Sequence, residues 1–291
     1  MQLNLSFPLS VVCHDAGATN IIVAWLKCMP SLTDTRAYME GPARDIWLKM
    51  IPDIPLCDSL EEALVGSNSL LTGTGWASSI EHDARQLGAA LGIHTIAVLD
   101  HWVNYRMRFC RDGNEILPDE LWVTDEFAEN IAYNTFPGFN IVQLPNYYFM
   151  QQLENISQPL HATELLYVAE PARDDWGKEE YGEFQALDYF LTKLSKLGLP
   201  ANITFRLRPH PSDEKGKYDT WIESQTKFSW TLDNSLHTSD AISRASWVVG
   251  CESFALVLAL AAGRRVYCSL PPWAPSCRLP HDGIFHLKNI E

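Results

Sequence analysis

Short apolar runs rich in β-branched residues alternate with helical patterns along the whole chain, and this alternation constrains the fold more than any other feature. In the first half, strand-like runs at 9–13, 69–73 and 94–100 are separated by helical patterns such as those at 19–29 and 78–92. Two parallel strands need a crossover long enough for a helix, so this alternation predicts parallel sheets covered by helices. The other predicted elements are a strand and helix at 120–136, a strand at 140–144, a helix at 186–198, a strand at 203–209, a helix at 239–246, a strand at 247–250, a helix at 253–263 and a strand at 264–270.

One break in this rhythm predicts a domain boundary. The segment 145–164 interrupts the alternation, and a new strand begins at 165–171. The 291 residues are also enough for two domains of ordinary size. We therefore predict an α/β fold with two Rossmann-like, doubly wound parallel-sheet domains, 1–155 and 156–291, facing a central cleft.

Composition and charge narrow the class of protein. Apolar residues make up 46% of the chain, which is typical of a globular protein with a substantial core. The formal net charge is -14, whereas general nucleic-acid binders are usually basic, so we expect no nucleic-acid partner. The seven cysteines form no CxxC pair, which predicts a reducing, cytoplasmic setting without disulfides. Cys13, Cys251 and Cys268 lie in or beside apolar runs and are expected to be small buried hydrophobes.

The sequence shows no signal for insertion into a membrane. The first ten residues do not form a signal peptide, and the longest apolar run, 254–262, is far too short to span a bilayer. Peripheral association with a membrane and formation of a homo-oligomer both stay open.

Ligands of open parallel sheets bind beyond the carboxyl ends of the strands, so the residues that follow each predicted strand are the candidates for a site. After the first strand, Gly17 would allow a tight turn, and Thr19 or Asn20 could cap the next helix. His14 and Asp15 are ionisable groups at the same turn. They are either functional groups or a local capping cluster.

Two further strand ends in the first half carry candidates. Gly73 and Gly75 either expose backbone amides to a ligand or permit close packing of strand and helix. Asp100 and His101 stand at the end of the strand at 94–100 and could supply a general base, although a buried aspartate capping a turn is the alternative. In the helix between these strands, Glu81 and Arg85 have the i,i+4 spacing of a supporting ion pair.

In the second half, Glu170 and Arg173 follow a strand, and they are candidates for donor binding. The strand at 203–209 runs into a turn in which two prolines enclose His210 directly after Arg208. Prolines limit the backbone and prevent a central strand from continuing. The turn is either a stiff stop or a device that aims the imidazole at a ligand.

A third strand end in this half, Gly250 to Ser253, precedes a strongly apolar helix. Ser253 near the start of that helix either holds an anion at free backbone amides or serves only as a cap. Glu252 would repel a phosphate, so we expect it to contact ribose hydroxyls or a cationic partner.

The second half resembles the GT-B type of nucleotide-sugar glycosyltransferase, which has two Rossmann domains. The resemblance is carried by the strand ending in Glu170-Pro171, the turn RPHP at 208–211, the block TSDAISRASWVVGCESFALVLALAAGRRVY and the PPW loop behind it. The His-Pro pair is similar to the motif of bacterial sialyl- and Kdo-transferases, and CDP-glycerol glycerophosphotransferases carry similar turns. The resemblance covers most of 165–272 and is only architectural in the first half.

This resemblance implies roles for individual residues. His210 would contact the donor phosphate or nucleotide with Arg208 in support, Ser253 would hold the phosphate, and Glu252 would hold the ribose. The domain 156–291 would bind the nucleotide-sugar donor, and the domain 1–155 would bind the acceptor.

The resemblance also implies an activity, the transfer of a sugar from a CMP- or UDP-sugar to a glycan or lipid-linked acceptor in bacterial surface polysaccharide synthesis. Asp15, Asp100 or His101 would deprotonate the acceptor hydroxyl. No Asp-x-Asp pair follows a predicted strand, so we expect no metal, and the nucleotide sugar is a substrate, so we expect no cofactor. The alternatives are a nucleotide-sugar epimerase or hydrolase of the same fold, and a non-catalytic nucleotide-sugar-binding protein, because the first half shows no clear acidic-acidic-Gly motif.

Overall fold

The structure is a computed structural model that describes residues 3–76, 78–158, 163–172 and 174–291. The chain divides into two compact units, unit 1 (Met1–Phe149) and unit 2 (Met150–Glu291). Each unit contains a six-stranded sheet in which every pair of neighbouring strands is parallel. The predicted α/β class with two parallel-sheet domains is thereby confirmed.

Unit 1 alternates strands and helices from its first strand onward. The strands are β1 Leu9–Cys13, β2 Thr35–Met39, β3 Ser69–Thr72, β4 His94–Val98, β5 Cys110–Arg111, β6 Asn114–Glu115, β7 Glu120–Val123 and β8 Ile141–Gln143. The helices are α1 Ala16–Leu26, α2 Gly41–Met50, α3 Leu60–Leu64, α4 Ile80–Ala90, α5 Glu126–Thr135 and α6 Tyr147–Glu154, and the division between the units falls within the last of these. The sheet order is β2-β1-β3-β4-β7-β8, while β5 and β6 form a separate antiparallel hairpin.

The strands of unit 1 are buried on both faces of the sheet. On one face, Val11 of β1 packs in a cluster with Trp25 of α1 and Trp47 of α2. On the other face, the adjacent Val12 packs with Leu70 of β3. A strand covered on both faces reads as a continuous apolar run, which explains why the sequence revealed β1 and β3 so clearly.

Unit 2 repeats this architecture with a different strand order. Its strands are β9 Glu164–Val168, β10 Thr204–Arg208, β11 Trp230–Leu232, β12 Trp247–Gly250, β13 Arg265–Cys268 and β14 Ile284–His286. Its helices are α7 Gly182–Lys193, α8 Asp219–Ser224, α9 Thr238–Ser243 and α10 Phe254–Ala261. The sheet order is β11-β10-β9-β12-β13-β14, which is the Rossmann order 3-2-1-4-5-6 when strands are counted from β9.

Aromatic side chains fill one face of the unit 2 sheet. Phe205 and Trp230 stack at 4.9 Å between ring centroids, and Phe190 of α7 lies edge-on to Trp230 at 6.2 Å. Tyr167 of β9 completes the group at 5.6 Å from Phe190. Offset and edge-to-face contacts of this kind add to the burial of large apolar surfaces and hold α7 against the sheet.

In each sheet the strand order reverses at one point. The reversal lies between β1 and β3 in unit 1 and between β9 and β12 in unit 2. At such a switch point the connections leave toward opposite faces, which opens a crevice at the carboxyl ends of the strands. The loops that follow these four strands are therefore the places where a ligand is expected.

The start of α1 differs from its prediction. The helix begins at Ala16 with Asp15 in the N-cap position, so the predicted capping by Thr19 or Asn20 is wrong. Both side chains lie inside the helix and donate to carbonyls one turn earlier, Thr19 to Asp15 at 2.6 Å and Asn20 to Ala16 at 2.8 Å. The apolar pattern becomes visible only at Ile21, which placed the predicted start too late.

None of the described helices combines the length and the apolar character needed to cross a bilayer.

Candidate functional site

A pocket lies at the carboxyl end of the unit 2 sheet, at its switch point. Its volume is about 160 Å³, and its lining comes from the segments that follow β9, β12 and β13. The lining includes Glu170, Pro171, Ala172, Asp174, Trp176, Cys251, Glu252, Leu270, Pro275, Ser276 and Arg278. These segments are far apart in the chain, and they meet because β9, β12 and β13 are neighbours in the sheet.

Two carboxylates and one guanidinium form the polar part of this pocket. The backbone N–H of Glu252 donates to Oε2 of Glu170 at 2.8 Å. Arg278 donates to the Glu252 carboxylate from its backbone N at 2.6 Å, from Nε at 3.0 Å and from Nη2 at 2.5 Å. Of the two contacts predicted for Glu252, a ribose hydroxyl or a cationic partner, the structure contains the second.

Burial and neighbouring charges set the electrostatics of Glu170 and Arg278 in this pocket. Burial raises the pKa of Glu170, although the hydrogen bond from the backbone N–H of Glu252 opposes this rise; the charge of Glu252 adds to it, and the charge of Arg278 opposes it. Arg278 keeps 51% of its side chain exposed. The arrangement can accept hydrogen bonds from hydroxyl or N–H groups and can place one positive charge beside them.

His210 lies on the surface, outside the lining of this pocket. Its backbone N–H donates to Oδ2 of Asp213 at 2.8 Å, and its Nδ1 accepts from the N–H of Ser212 at 3.1 Å. Because Nδ1 is an acceptor here, the neutral imidazole carries its proton on Nε2. The contacts with Ser212 therefore fix the orientation of the imidazole.

A chain of ion pairs connects that turn to the pocket. The Asp213 side chain is only 2% exposed, and it accepts from Lys217 Nζ at 2.6 Å and from Tyr218 Oη at 3.1 Å. Lys217 also contacts Glu183 Oε1 at 2.5 Å, and the other oxygen of Glu183 accepts from the N–H of Ala172 at 3.1 Å. The positions of the two loops are thus coupled through buried charges.

Arg208 belongs to a structural cluster in this conformation. Its Nη1 donates to Asp233 at 2.5 Å and to the carbonyl of Ser235 at 2.9 Å, and Arg206 contacts the same carboxylate. Burial disfavours the charge on Asp233, but hydrogen bonds from Ser235 and Arg208, with the charge of Arg206, outweigh it and lower the pKa. Arg173, the other arginine predicted for donor binding, lies outside the described residues.

Ser253 and Gly250 have clear structural roles. Ser253 Oγ caps α10 by accepting from Ala255 N at 3.1 Å, and the Ser253 carbonyl accepts from Leu256 N at 3.0 Å. A Cβ on Gly250 would lie 2.9 Å from the carbonyl oxygen of Val168, so glycine is what allows β9 and β12 to approach here.

The switch point of unit 1 gathers a second set of charged residues. The Nδ1 of His14 contacts Oδ1 of Asp15 at 2.7 Å. Glu81 of α4 accepts from the backbone N–H of His14 at 3.1 Å with one oxygen and from that of Gly75 at 2.5 Å with the other. One carboxylate therefore ties the loop after β1 to the loop after β3.

The sequence did not reveal this role of Glu81, because its i,i+4 spacing with Arg85 predicted only an ion pair that supports the helix. Both residues are 1% exposed, and Arg85 instead donates to the Gly73 carbonyl at 3.1 Å and to Thr72 Oγ1 at 3.2 Å. Burial raises the pKa of Glu81 to about 7 and lowers that of Arg85 to about 10. Glu81, Arg85 and Gly88 lie on one face of α4, and a glycine on that face could have indicated that the face is buried. The same spacing also occurs in surface helices, so it did not distinguish the two cases.

Asp100 is held by Arg108 in the same unit. The two side chains are 2.8 Å apart, with 17% and 7% of their surfaces exposed. A Cβ on Gly17 would lie 1.9 Å from the other Asp100 oxygen, so the carboxylate packs directly against that glycine. His101, the third candidate base, is half-buried, and its ring centroid lies 5.3 Å from that of Trp102.

The two other candidate glycines of unit 1, Gly73 and Gly75, also lie against carboxylates. A Cβ on Gly75 would lie 2.1 Å from Oδ2 of Asp15, and a Cβ on Gly73 would lie 2.3 Å from Oε1 of Glu81. The space beside these glycines is thus filled by acidic side chains of the chain itself. Both glycines are therefore closely packed, with carboxylates as the neighbouring groups.

Comparisons with known proteins extend the description of the fold. No protein-family model matches the chain. No curated protein sequence matches it either. Among solved structures, it is similar to UDP-GlcNAc 2-epimerase from Neisseria meningitidis bound to UDP-GlcNAc, with a TM-score of 0.59 and 12% identity over 85% of this chain and 78% of that one.

Two further solved structures show the same similarity. UDP-GlcNAc 2-epimerase from Methanocaldococcus jannaschii has a TM-score of 0.58 and 13% identity over 89% of this chain and 83% of that one. The glycotransferase of kitacinnamycin has a TM-score of 0.52 and 10% identity over 89% of this chain and 79% of that one. At such low identities the likeness concerns the fold. The chain has the GT-B fold.

Proposed function

We propose that this protein is an enzyme that acts on a nucleotide sugar, and that unit 2 binds the nucleotide part. The observation that carries the proposal is the position of the unit 2 pocket. Glu170, Glu252 and Arg278 converge at the switch point of a sheet with the Rossmann order, which is where such sheets bind nucleotides.

The size and polarity of the pocket fit one part of such a ligand. Its volume of about 160 Å³ is smaller than the roughly 300 Å³ at which sites for drug-sized ligands begin. It is therefore proposed to hold the ribose or the base, with Glu170 and Glu252 accepting hydrogen bonds from hydroxyl groups. The exposed face of Arg278 is proposed to contact a phosphate.

The proposed reaction is transfer of the sugar to a hydroxyl of a glycan or lipid-linked acceptor in surface polysaccharide synthesis, in the cytoplasm or at the membrane periphery. Negative charge grows on the nucleotide phosphate as it leaves, and preorganised groups such as Arg278 and the imidazole of His210 would stabilise it. Of the three candidate bases, Asp15 is favoured because 31% of its side chain is exposed and His14 orients it. Asp100, by contrast, is occupied by Arg108.

Calorimetric titration with UDP-, CMP- and GDP-sugars tests the donor site. Wild-type protein is expected to bind one of these classes, and Arg278→Ala is expected to weaken binding about 10- to 100-fold, the range of a lost charge-assisted hydrogen bond. Arg265→Ala is the matched control, because Arg265 is exposed at the opposite, amino end of β13. Absence of binding to wild-type protein at millimolar concentrations of every nucleotide sugar would refute the proposal.

Epimerisation of the sugar is a second candidate, favoured by the similarity to two UDP-GlcNAc 2-epimerases. Incubating UDP-GlcNAc with the protein in D2O, without an acceptor, separates the candidates by proton NMR. Appearance of the C2 epimer with deuterium at C2 indicates an epimerase, and release of free sugar indicates a hydrolase. Turnover only after an acceptor is added indicates a transferase, whereas binding without turnover in either case indicates a non-catalytic protein.

A further inference from the structure

Two thiols and an imidazole lie close together at the carboxyl end of the strands of the unit 2 sheet, beside the pocket. One ligand atom from each of Cys268, Cys277 and His286 lies within 4.8 Å of the other two. Cys268 ends β13 and His286 ends β14, and their Cα atoms are direct partners in the parallel sheet. Cys277 comes from the loop 269–283 that connects these strands.

We propose that Cys268, Cys277 and His286 bind a Zn²⁺ ion. In a tetrahedral zinc site with Zn–S of about 2.3 Å and Zn–N of about 2.0 Å, the ligand atoms lie roughly 3.5–3.8 Å apart. The three atoms are already within 4.8 Å of one another, so rotation of side chains can bring them to the metal without moving the strands. The fourth position would be taken by water, as in zinc sites with two cysteines and one histidine.

The chemistry of the ligands selects the metal. Thiolate and imidazole together suit zinc better than the hard cations magnesium and calcium, which prefer oxygen ligands. The sulfur atoms of Cys268 and Cys277 lie within 4.8 Å of each other and of a ring nitrogen of His286, so one ion can reach all three. Binding would release both thiol protons to solvent, and two thiolates would neutralise the charge of the dication in a partly buried place.

The site would fix the loop that carries the pocket arginine. Cys277 stands between Ser276 and Arg278, which both line the pocket, and the backbone N–H of Arg278 donates to Glu252 at 2.6 Å. A metal bond at Cys277 would anchor this loop to the end of the sheet and hold Arg278 beside Glu252. The proposal departs from the expectation of no metal, because ligands at 268, 277 and 286 lack any CxxC spacing.

Metal analysis tests the proposal without any nucleotide, so its outcome is independent of the proposed function. The reduced full-length protein is loaded with Zn²⁺, dialysed and measured by plasma mass spectrometry, and the apoprotein is titrated with Co²⁺. We expect one zinc per chain, and the charge-transfer and visible bands of tetrahedral cobalt with thiolate ligands. Cys277→Ser is expected to lower zinc affinity by at least about 100-fold, since even loss of a partner behind a ligand costs 10–100-fold.

A control variant and a second ligand variant make the test decisive. Cys28→Ser removes an exposed thiol of unit 1 and is expected to leave zinc content and the cobalt spectrum unchanged. If Cys277→Ser does not fold, His286→Gln and the cobalt spectrum of the wild type decide. The proposal is overturned by reduced wild-type protein that binds no zinc, by a cobalt spectrum without thiolate bands, or by a Cys277→Ser protein with unchanged binding.

Discussion

Replacing Gly17 by Ala is expected to break the ion pair between Asp100 and Arg108. The new Cβ would lie 1.9 Å from one oxygen of Asp100, whereas a carbon and an oxygen in ordinary contact are roughly 3.3 Å apart. The carboxylate must therefore retreat by about 1.5 Å, and the 2.8 Å contact with Arg108 cannot survive that movement. The Cβ of Asp100, at 3.6 Å, stays clear, so the strain falls on the carboxyl group and not on the backbone.

Three contributions set the size of the effect. Loss of a hydrogen bond to a charged group costs about 1.5–3 kcal/mol. A displaced side-chain rotamer costs about 0.5–1.5 kcal/mol. Alanine in place of a helical glycine regains about 0.5–1 kcal/mol, since Gly17 lies in the first turn of α1. The net destabilisation of the Gly17→Ala protein is therefore expected to be about 1–4 kcal/mol.

A double-mutant cycle by urea unfolding isolates the cause. In an Asp100→Ala background the clash and the ion pair are both absent, so Gly17→Ala should become stabilising by about 0.5–1 kcal/mol. Hydrogen exchange of peptides from α1 assigns the change to unit 1. If Gly17→Ala destabilises the protein equally in both backgrounds, the explanation through Asp100 is wrong.

Three other predictions follow from buried polar contacts. Burial raises the pKa of Glu81 to about 7, above its unfolded value of 4.5, so the stability of the wild-type protein should fall by about 3 kcal/mol at most as the pH rises from 4.5 through 7. Urea unfolding at about pH 5 and pH 8 checks this, because the unfolding free energy of Glu81→Gln should change less between the two pH values than that of the wild type. Asp213→Ala removes the carboxylate that accepts hydrogen bonds from both the backbone N–H of His210 and Lys217. The unfolding free energy should therefore drop by about 2–3 kcal/mol, and proteolysis at the 208–218 loop should accelerate. An unchanged protease pattern would contradict the role of Asp213. Ser253→Ala should cost about 1 kcal/mol in thermal unfolding through loss of the α10 cap, and Ser253→Thr should restore most of it; equal losses in both variants would contradict capping.

The central strands were predictable from the sequence because both faces of each sheet are covered. β1, β9 and β12 are short, mostly apolar strands of four or five residues, nearly all of them buried, and such runs are typical of strands covered on both faces. Three of the four edge strands, β2, β11 and β14, were not predicted, since they are partly exposed and do not form a long apolar run.

Only those residues of the candidate site that directly follow a strand were predictable from the sequence. Glu170 and Glu252 were found because each follows a recognisable strand. The sheet brings the two strands together, so the backbone N–H of Glu252 donates a hydrogen bond to the Glu170 carboxylate. Arg278 was missed because it lies in the loop 269–283, which has no helical or strand period, and the PPW motif at 271–273 does not point to residue 278. Its importance depends on which carboxylate it reaches, and that depends on how the loop packs.

The sequence by itself determined the class of fold, the order of its central strands along the chain and the polar residues at their carboxyl ends. These follow from local patterns, because burial and helical crossovers leave a period that can be read along the chain. Only the tertiary structure decided which charges are buried; the Glu81 carboxylate, for example, packs directly against Gly73. It also decided that the thiols of Cys268 and Cys277 lie close to the imidazole of His286. Those facts depend on contacts between segments distant in the chain, and one-dimensional spacing holds no information about such contacts.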